Sequence, residues 1–291
     1  MTIILETLLN GLSVGGTYAM IALGYTMVYG IAKLLNFAHG DIIMVGGYMI
    51  YVTMAVTGHP LIGLLVAIVF CMILGITIEK VAYKPLRGAS PLAVLITAIG
   101  ISYLLQSTAQ MIFGSSPKMV IIADMGNLTI GSLKVPFYTV ITLVCSFVIM
   151  IALNIFVKYT KVGRAMQAVS EDRGAAQLMG INVNGIIMIT FAIGSALAAF
   201  AGFFMLMKSP SLSNTLGAMP GIKAFTAAVI GGIGSIPGAT LGGILMGVVE
   251  AASYKIPVIA PYTDAIEFLI LIVILLVKPS GILGKVRREK V

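Results

Sequence analysis

FYTVITLVCSFVIMIALNIFV, residues 137–157, runs for 21 residues without a formal charge, and Lys158 follows it directly. As a helix rising 1.5 Å per residue the run measures about 30 Å, the thickness of a bilayer's hydrocarbon core. Working outward, comparable stretches fill most of the chain: Leu5 to Tyr29, Asp41 to Val56, Leu61 to Ile78, Pro91 to Phe113, Gly185 to Met207 and Ala265 to Val277. Hydrophobic residues make up 59% of the 291 and charged residues only 10%, with a mean hydropathy of +1.09. A soluble domain carries roughly 25% charged residues, so this chain lacks the charge to cover a water-facing surface. It reads as an integral membrane protein.

The net charge of +8 is a matter of placement. Of 18 Lys and Arg, 12 fall in three short segments: Lys80, Lys84 and Arg87; Lys158, Lys161, Arg164 and Arg173; Lys278, Lys285, Arg287, Arg288 and Lys290. Basic residues flanking apolar spans mark the cytoplasmic side, which puts the N-terminus outside and the C-terminus inside and argues against a nucleic-acid partner. MTIILETLL lacks the basic stretch and small-residue cleavage site of a signal peptide, so the first span is expected to be retained. Cys71 and Cys145 lie inside apolar spans without metal-ligand spacing and read as small buried hydrophobes.

Two polar interruptions fall at membrane depth. One is Asn36-Phe37-Ala38-His39-Gly40-Asp41; the other, GGIGSIPGA at 231–239, splits Lys223 to Lys255 into two spans or two half-helices. Irregular backbone is tolerated there only where protein or a water-filled cavity covers it. Between Gly114 and Pro136, two β-branched runs flank Asp124-Met125-Gly126-Asn127 and predict a small hairpin outside the membrane. The fold class is all-α: a polytopic transmembrane helix bundle of about eight or nine segments, some broken or re-entrant. Small residues at spacing four (Gly11 and Gly15; Gly194, Ala198 and Gly202; Gly234, Gly238 and Gly242; Gly243 and Gly247) predict close helix packing.

Nothing catalytic emerges. There is no G-x-x-x-x-G-K-[ST] phosphate loop, and two distant His make no metal triad. Ionisable groups at depth are functional candidates. His39 and Asp41, with Asn36 a turn earlier, read either as an interfacial helix start or as a gate at a helix break. Ser102, Gln106 and Gln110 form one polar stripe, read as interhelical hydrogen bonding or as lining for a polar solute. Glu250 and Glu267 are expected near the outer interface. In the basic stretch Lys158 to Asn184, two helical pieces, Arg164 to Val169 and Arg173 to Met179, are broken at Ser170-Glu171-Asp172. Asp172 is the expected N-cap of the second piece and Gly180 its stop. Met166, Val169, Leu178 and Met179 give this pair an apolar face suited to docking on a soluble partner.

GYTMVYGIAKLLNFAHGD (Gly24 to Asp41), IEKVAYKPLR (Ile78 to Arg87), GRAMQAVSEDRGAAQLMGIN (Gly163 to Asn182), KAFTAAVIGGIGSIPGATLGG (Lys223 to Gly243) and KPSGILG (Lys278 to Gly284) carry a resemblance. The chain resembles, over its whole length, the LivH-type permease subunit of branched-chain amino acid ABC importers. The resemblance implies one transmembrane permease domain over residues 1–291, in the bacterial inner membrane, with external loop 114–136. Residues 158–184 would be the cytoplasmic coupling segment, with Gly163, Arg164, Ala165, Ser170, Glu171, Asp172, Ala175, Leu178 and Gly180 at the ATPase. Asn36, His39, Asp41, Ser102, Gln106, Gly231 and Gly234 are the pathway candidates. The implied partners are two ABC ATPase subunits, a second permease of paralogous type, a periplasmic or lipid-anchored solute-binding protein, and membrane lipid. ATP and Mg would sit on the ATPases, with no cofactor and no enzymatic centre on this chain. The cargo implied is branched-chain or other hydrophobic amino acids. Urea or short amides in the same architecture is one alternative; an ion-coupled secondary carrier, which would use embedded carboxylates and inverted repeats, is another.

Overall fold

The longest helix, α1 (Thr2–Ala32), runs through the centre of the bundle in the computed structural model, which describes residues 2–34, 36–122, 126–130 and 133–284. Helices α10 (Ile236–Lys255), α8 (Val183–Lys208), α9 (Ala218–Gly231) and α5 (Phe137–Tyr159) pack around it. The predicted glycine ridges are the reason for the closest contacts. A Cβ on Gly15 would lie 2.7 Å from the Ile244 Cα, and one on Gly11 2.8 Å from the Val248 Cα. The reciprocal positions Gly243 and Gly247 press on Ala19 and Gly15, so α1 and α10 run antiparallel, backbone against backbone. Without a hydrophobic drive between helices in lipid, such contact supplies much of the association energy.

Outside this core lie α2 (His39–Thr57), α3 (Pro60–Ile78), α4 (Pro91–Phe113) and α11 (Thr263–Val277). Gly58, at φ +68, ends α2, and Pro60 begins α3 at a position where its missing N–H costs nothing. Apolar side chains stay exposed along α4 (Ile96, Leu104, Met111), α5 (Val148, Ile151) and α11 (Leu269, Val273, Leu276), as helices facing hydrocarbon require. Among the described residues eight helices are long and apolar enough to cross a membrane, and the protein is a multi-pass membrane protein. α9 has 14 residues, about 21 Å, too short for a full crossing. GGIGSIPGA therefore separates a half-helix from a full one. The last carbonyls of α9 would be orphans. They are met by the tail, where Ile282 N–H donates to Ile230 O at 2.8 Å and Leu283 N–H to Gly231 O at 2.9 Å.

Two expectations are corrected. Asp124 and Met125 lie outside the described residues, and Asn127 is strand, not turn. The hairpin is built within the second run alone, β2 (Asn127–Ile130) pairing antiparallel with β3 (Leu133–Pro136). From the first run, β1 (Lys118–Met119) pairs instead with β4 (Ser211–Leu212), just beyond α8. The basic stretch forms α6 (Lys161–Glu171) and α7 (Arg173–Leu178), so helix continues through Ser170 and Glu171 and only Asp172 interrupts it. These two helices lie at the basic end of the bundle; β2–β3 marks the hairpin end.

Candidate functional site

At the basic end the chain turns from α5 into α6 on a capped, sterically tight corner. The Thr160 hydroxyl accepts from Gly163 N–H at 2.9 Å. A Cβ on Gly163 would run into Phe156 O and Val157, so glycine lets α6 fold back on α5. Asp172 Oδ1 accepts from Ala175 N–H at 3.0 Å, as an N-cap should. At the far end Gly180 takes φ +80. Ile181 N–H reaches Ala176 O and Gly180 N–H reaches Gln177 O, each at 3.0 Å: a Schellman stop with buried Ala176 under it. Met166 and Val169, expected on the docking face, are instead fully buried against the chain's own α5, α8 and α1. What remains outward is Leu178 at 90% exposure and Met179 at 82%; Arg164, Glu171 and Ala175 are also exposed, and Ala165 and Ser170 half-buried.

Two arginines fasten this end. Arg173 donates to the carbonyl of Ala32, the last residue of α1. Burial, and then the neighbouring Arg87, push its pKa below the usual arginine value. Arg87 pairs with Glu79 and with the Asn184 side chain, joining the end of α3 to the start of α8. Glu79 opens a π-helical turn, Glu79–Tyr83, whose Tyr83 hydroxyl donates to Asn36 Oδ1 at 2.9 Å. Lys33, between these anchors, has φ +53, a left-handed conformation that costs a non-glycine residue about 1–2 kcal/mol.

The break then enters the bundle. The His39 ring presses on Gly24, eight residues or about 12 Å in from the end of α1, and meets Tyr25 edge-on with centroids 4.8 Å apart. Asp41, 2% exposed, accepts from Gln106 Nε2 at 2.8 Å, and the same nitrogen reaches Ser102 Oγ at 3.3 Å. Asp41, Ser102 and Gln106 are thus brought together, and Gln110 meets Asn214 a turn farther along, at 3.4 Å. Asn36 and His39 face other partners. Gly231 and Gly234 do neither: Gly231 takes the close backbone approach of Gly238, and Gly234 (φ +94) lies beside Gly30 at the basic end.

Lys223 was not singled out by its sequence context, and among the described residues it gathers three carboxylates, two of them buried. Its Nζ lies 2.7 Å from Asp264 Oδ1, 3.1 Å from Glu250 Oε2 and 3.2 Å from Glu267 Oε2. Tyr18 donates to the same Glu250 oxygen at 2.5 Å. Half-helix α9 is thereby pinned to α10, α11 and α1. Glu267 is fully buried and Glu250 nearly so, Glu250 five residues before the end of α10 and Glu267 four after the start of α11. Their spacing from Lys223 in sequence hides the cluster; the one available signal was a lysine six residues into an apolar segment. Beside Glu250 a cleft of about 410 Å³ opens among α1, α5, α8 and α10, lined by Asn10, Lys208, Tyr254 and Lys255.

The family described as the branched-chain amino acid transport system / permease component matches residues 7–275. The chain belongs to that family. Among similar permeases, the high-affinity branched-chain amino acid transport system permease protein BraD of Pseudomonas aeruginosa is 42% identical, covering 99% of this chain and 98% of its own. The protein of the same description named LivH, from Escherichia coli K12, is 41% identical, covering 99% and 97%. A ribose import permease protein, RbsC of Haemophilus influenzae, is 26% identical, covering 93% and 84%. As a member of the branched-chain permease family the chain is a transport protein. In this family member the matched region takes in the helix break, the α6–α7 pair and the Lys223 cluster together.

Proposed function

We propose that this chain is the membrane-spanning subunit of an ATP-driven importer in the bacterial inner membrane, passing branched-chain or other hydrophobic amino acids. Two ABC ATPases bind at the basic end, where they hold ATP and Mg; a second permease, paralogous to this one, completes the pathway. An external binding protein, periplasmic or lipid-anchored, presents the solute at the hairpin end. The observation that carries this reading is the Leu178–Met179 pair, held outward on a helix capped at both ends. Two fully exposed apolar side chains on a rigid mount suit a pocket on a soluble protein, whereas lipid-facing residues need no such mount. The transport activity for which the BraD and LivH relatives are named supports the cargo class. The carboxylates that an ion-coupled carrier would titrate, Glu250 and Glu267, are paired with Lys223.

Reconstitution tests it. Proteoliposomes holding this chain, the second permease, the ATPases, the binding protein and ATP should accumulate leucine in preference to urea. Cysteines placed at Ser170 and Gln177 should react with impermeant reagents only from the ATPase side. Leucine uptake by vesicles of this chain alone, driven by a pH step, would overturn the proposal.

A further inference from the structure

We infer that Arg173 is a positioning residue for transport, carrying displacement of the α6–α7 pair to the α1–α2 break. The inference rests on the docking role proposed above for that pair. Arg173 is the first residue of α7, directly after the Asp172 cap, and its guanidinium binds the carbonyl at the end of α1, 141 residues away. Lys33, the next residue, is the only non-glycine residue with positive φ among those described. A joint held in a sparsely populated conformation is where a small push changes backbone direction, because hinges are a few residues that absorb the φ/ψ change.

The far side of the same short segment is clasped independently. Asn36 is held by Tyr83, which is fully buried in the π-helical turn after α3. Ala32 is therefore held by the docking pair, and Asn36 by the π-helical turn after α3. His39 opens α2 three residues later, and Asp41 follows at its contact with Gln106. The two arginines divide the work. Arg87 stands close enough to Arg173 to act on its charge, but its own hydrogen bonds go to Glu79 and Asn184. Arg173 spans from the pair to the break. A planar guanidinium with a fixed donor fork loses less motion in transmission than a flexible ammonium would.

The test uses the complete complex in proteoliposomes. With Arg173→Ala, the ATPases should co-purify in wild-type proportion, while the maximal rate of leucine uptake falls about tenfold at unchanged KM. ATP consumed per leucine should rise correspondingly. Arg173→Lys keeps one donor for the Ala32 carbonyl and should recover part of the rate. Three outcomes overturn the inference: a wild-type ATP-to-leucine ratio in Arg173→Ala, loss of the ATPases from that variant, or Arg173→Lys behaving no better than Ala. Leu178→Asp separates the two levels. If ATPases remain bound to that variant, the docking role itself fails; if they are lost while Arg173→Ala transports normally, only the transmission role fails.

Discussion

Gln106 on α4 donates to Asp41 near the start of α2 at 2.8 Å, and this bond is one of the few that hold α4 to the rest of the bundle. Among the described residues no Lys or Arg pairs with Asp41, so neutral donors, Ser102 and the Gln106 amide, are what satisfy its carboxylate.

Gln106→Leu should therefore leave a buried carboxylate one donor short, with Ser102 still in place. Losing a hydrogen bond to a charged group costs about 1.5–3 kcal/mol. Thermal unfolding of the purified protein should shift downward, and leucine uptake in cells should fall more steeply than protein yield. Uptake that tracks yield would reduce Gln106 to a packing residue.

Lys223→Met leaves Glu250, Asp264 and Glu267 facing one another without their cation. Breaking a buried ion pair from one side costs about 3–5 kcal/mol. Detergent-solubilised protein should lose most of its monodisperse peak in size-exclusion chromatography. Adding Glu267→Gln should restore part of it, because one of the stranded charges is removed.

Gly247→Val drives a branched side chain into the Gly15 backbone. Overpacking of this kind costs about 1–3 kcal/mol, and here neither backbone can give way without separating α1 from α10. Membrane yield should drop severely. Gly88→Val, where added atoms meet nothing within 4 Å, is the control and should express normally.

Asp172→Ala removes the cap of α7 and should cost about 0.5–2 kcal/mol of local helix stability. Amide exchange at Ala175 and Ala176 should accelerate while α1 and α8 keep their protection. ATP hydrolysis stimulated by loaded binding protein should decline in parallel.

What was legible in the sequence follows from the range of the forces involved. Asp172 and Gly180 were readable because a cap and a left-handed stop act within four residues. The glycine ridges were readable because spacing four already defines one helix face. Met166 and Val169 show the limit. Periodicity marks their face as apolar but not what covers it, and the chain's own helices cover it before any partner can. The hairpin was misplaced for a similar reason, since β-branched runs announce strands without naming the partner, and β1 found β4 instead. Lys223 and Arg173 were hidden more deeply. Their partners lie on other helices, and only the closed bundle brings Lys223 to its carboxylates and Arg173 to the Ala32 carbonyl.

The tail's hold on α9 also bears on the order in which the protein is made. Ile282 and Leu283 supply the N–H groups that finish the half-helix, yet they are translated about fifty residues after it, behind two further membrane segments. While α10 and α11 are still leaving the ribosome, the carbonyls of Ile230 and Gly231 have no donor from this source. These two hydrogen bonds can form only once the last segment has been made and has folded back. Completion of the α9 C-terminus is thus a late event of biogenesis, and a nascent chain stalled before residue 282 should leave those carbonyls open.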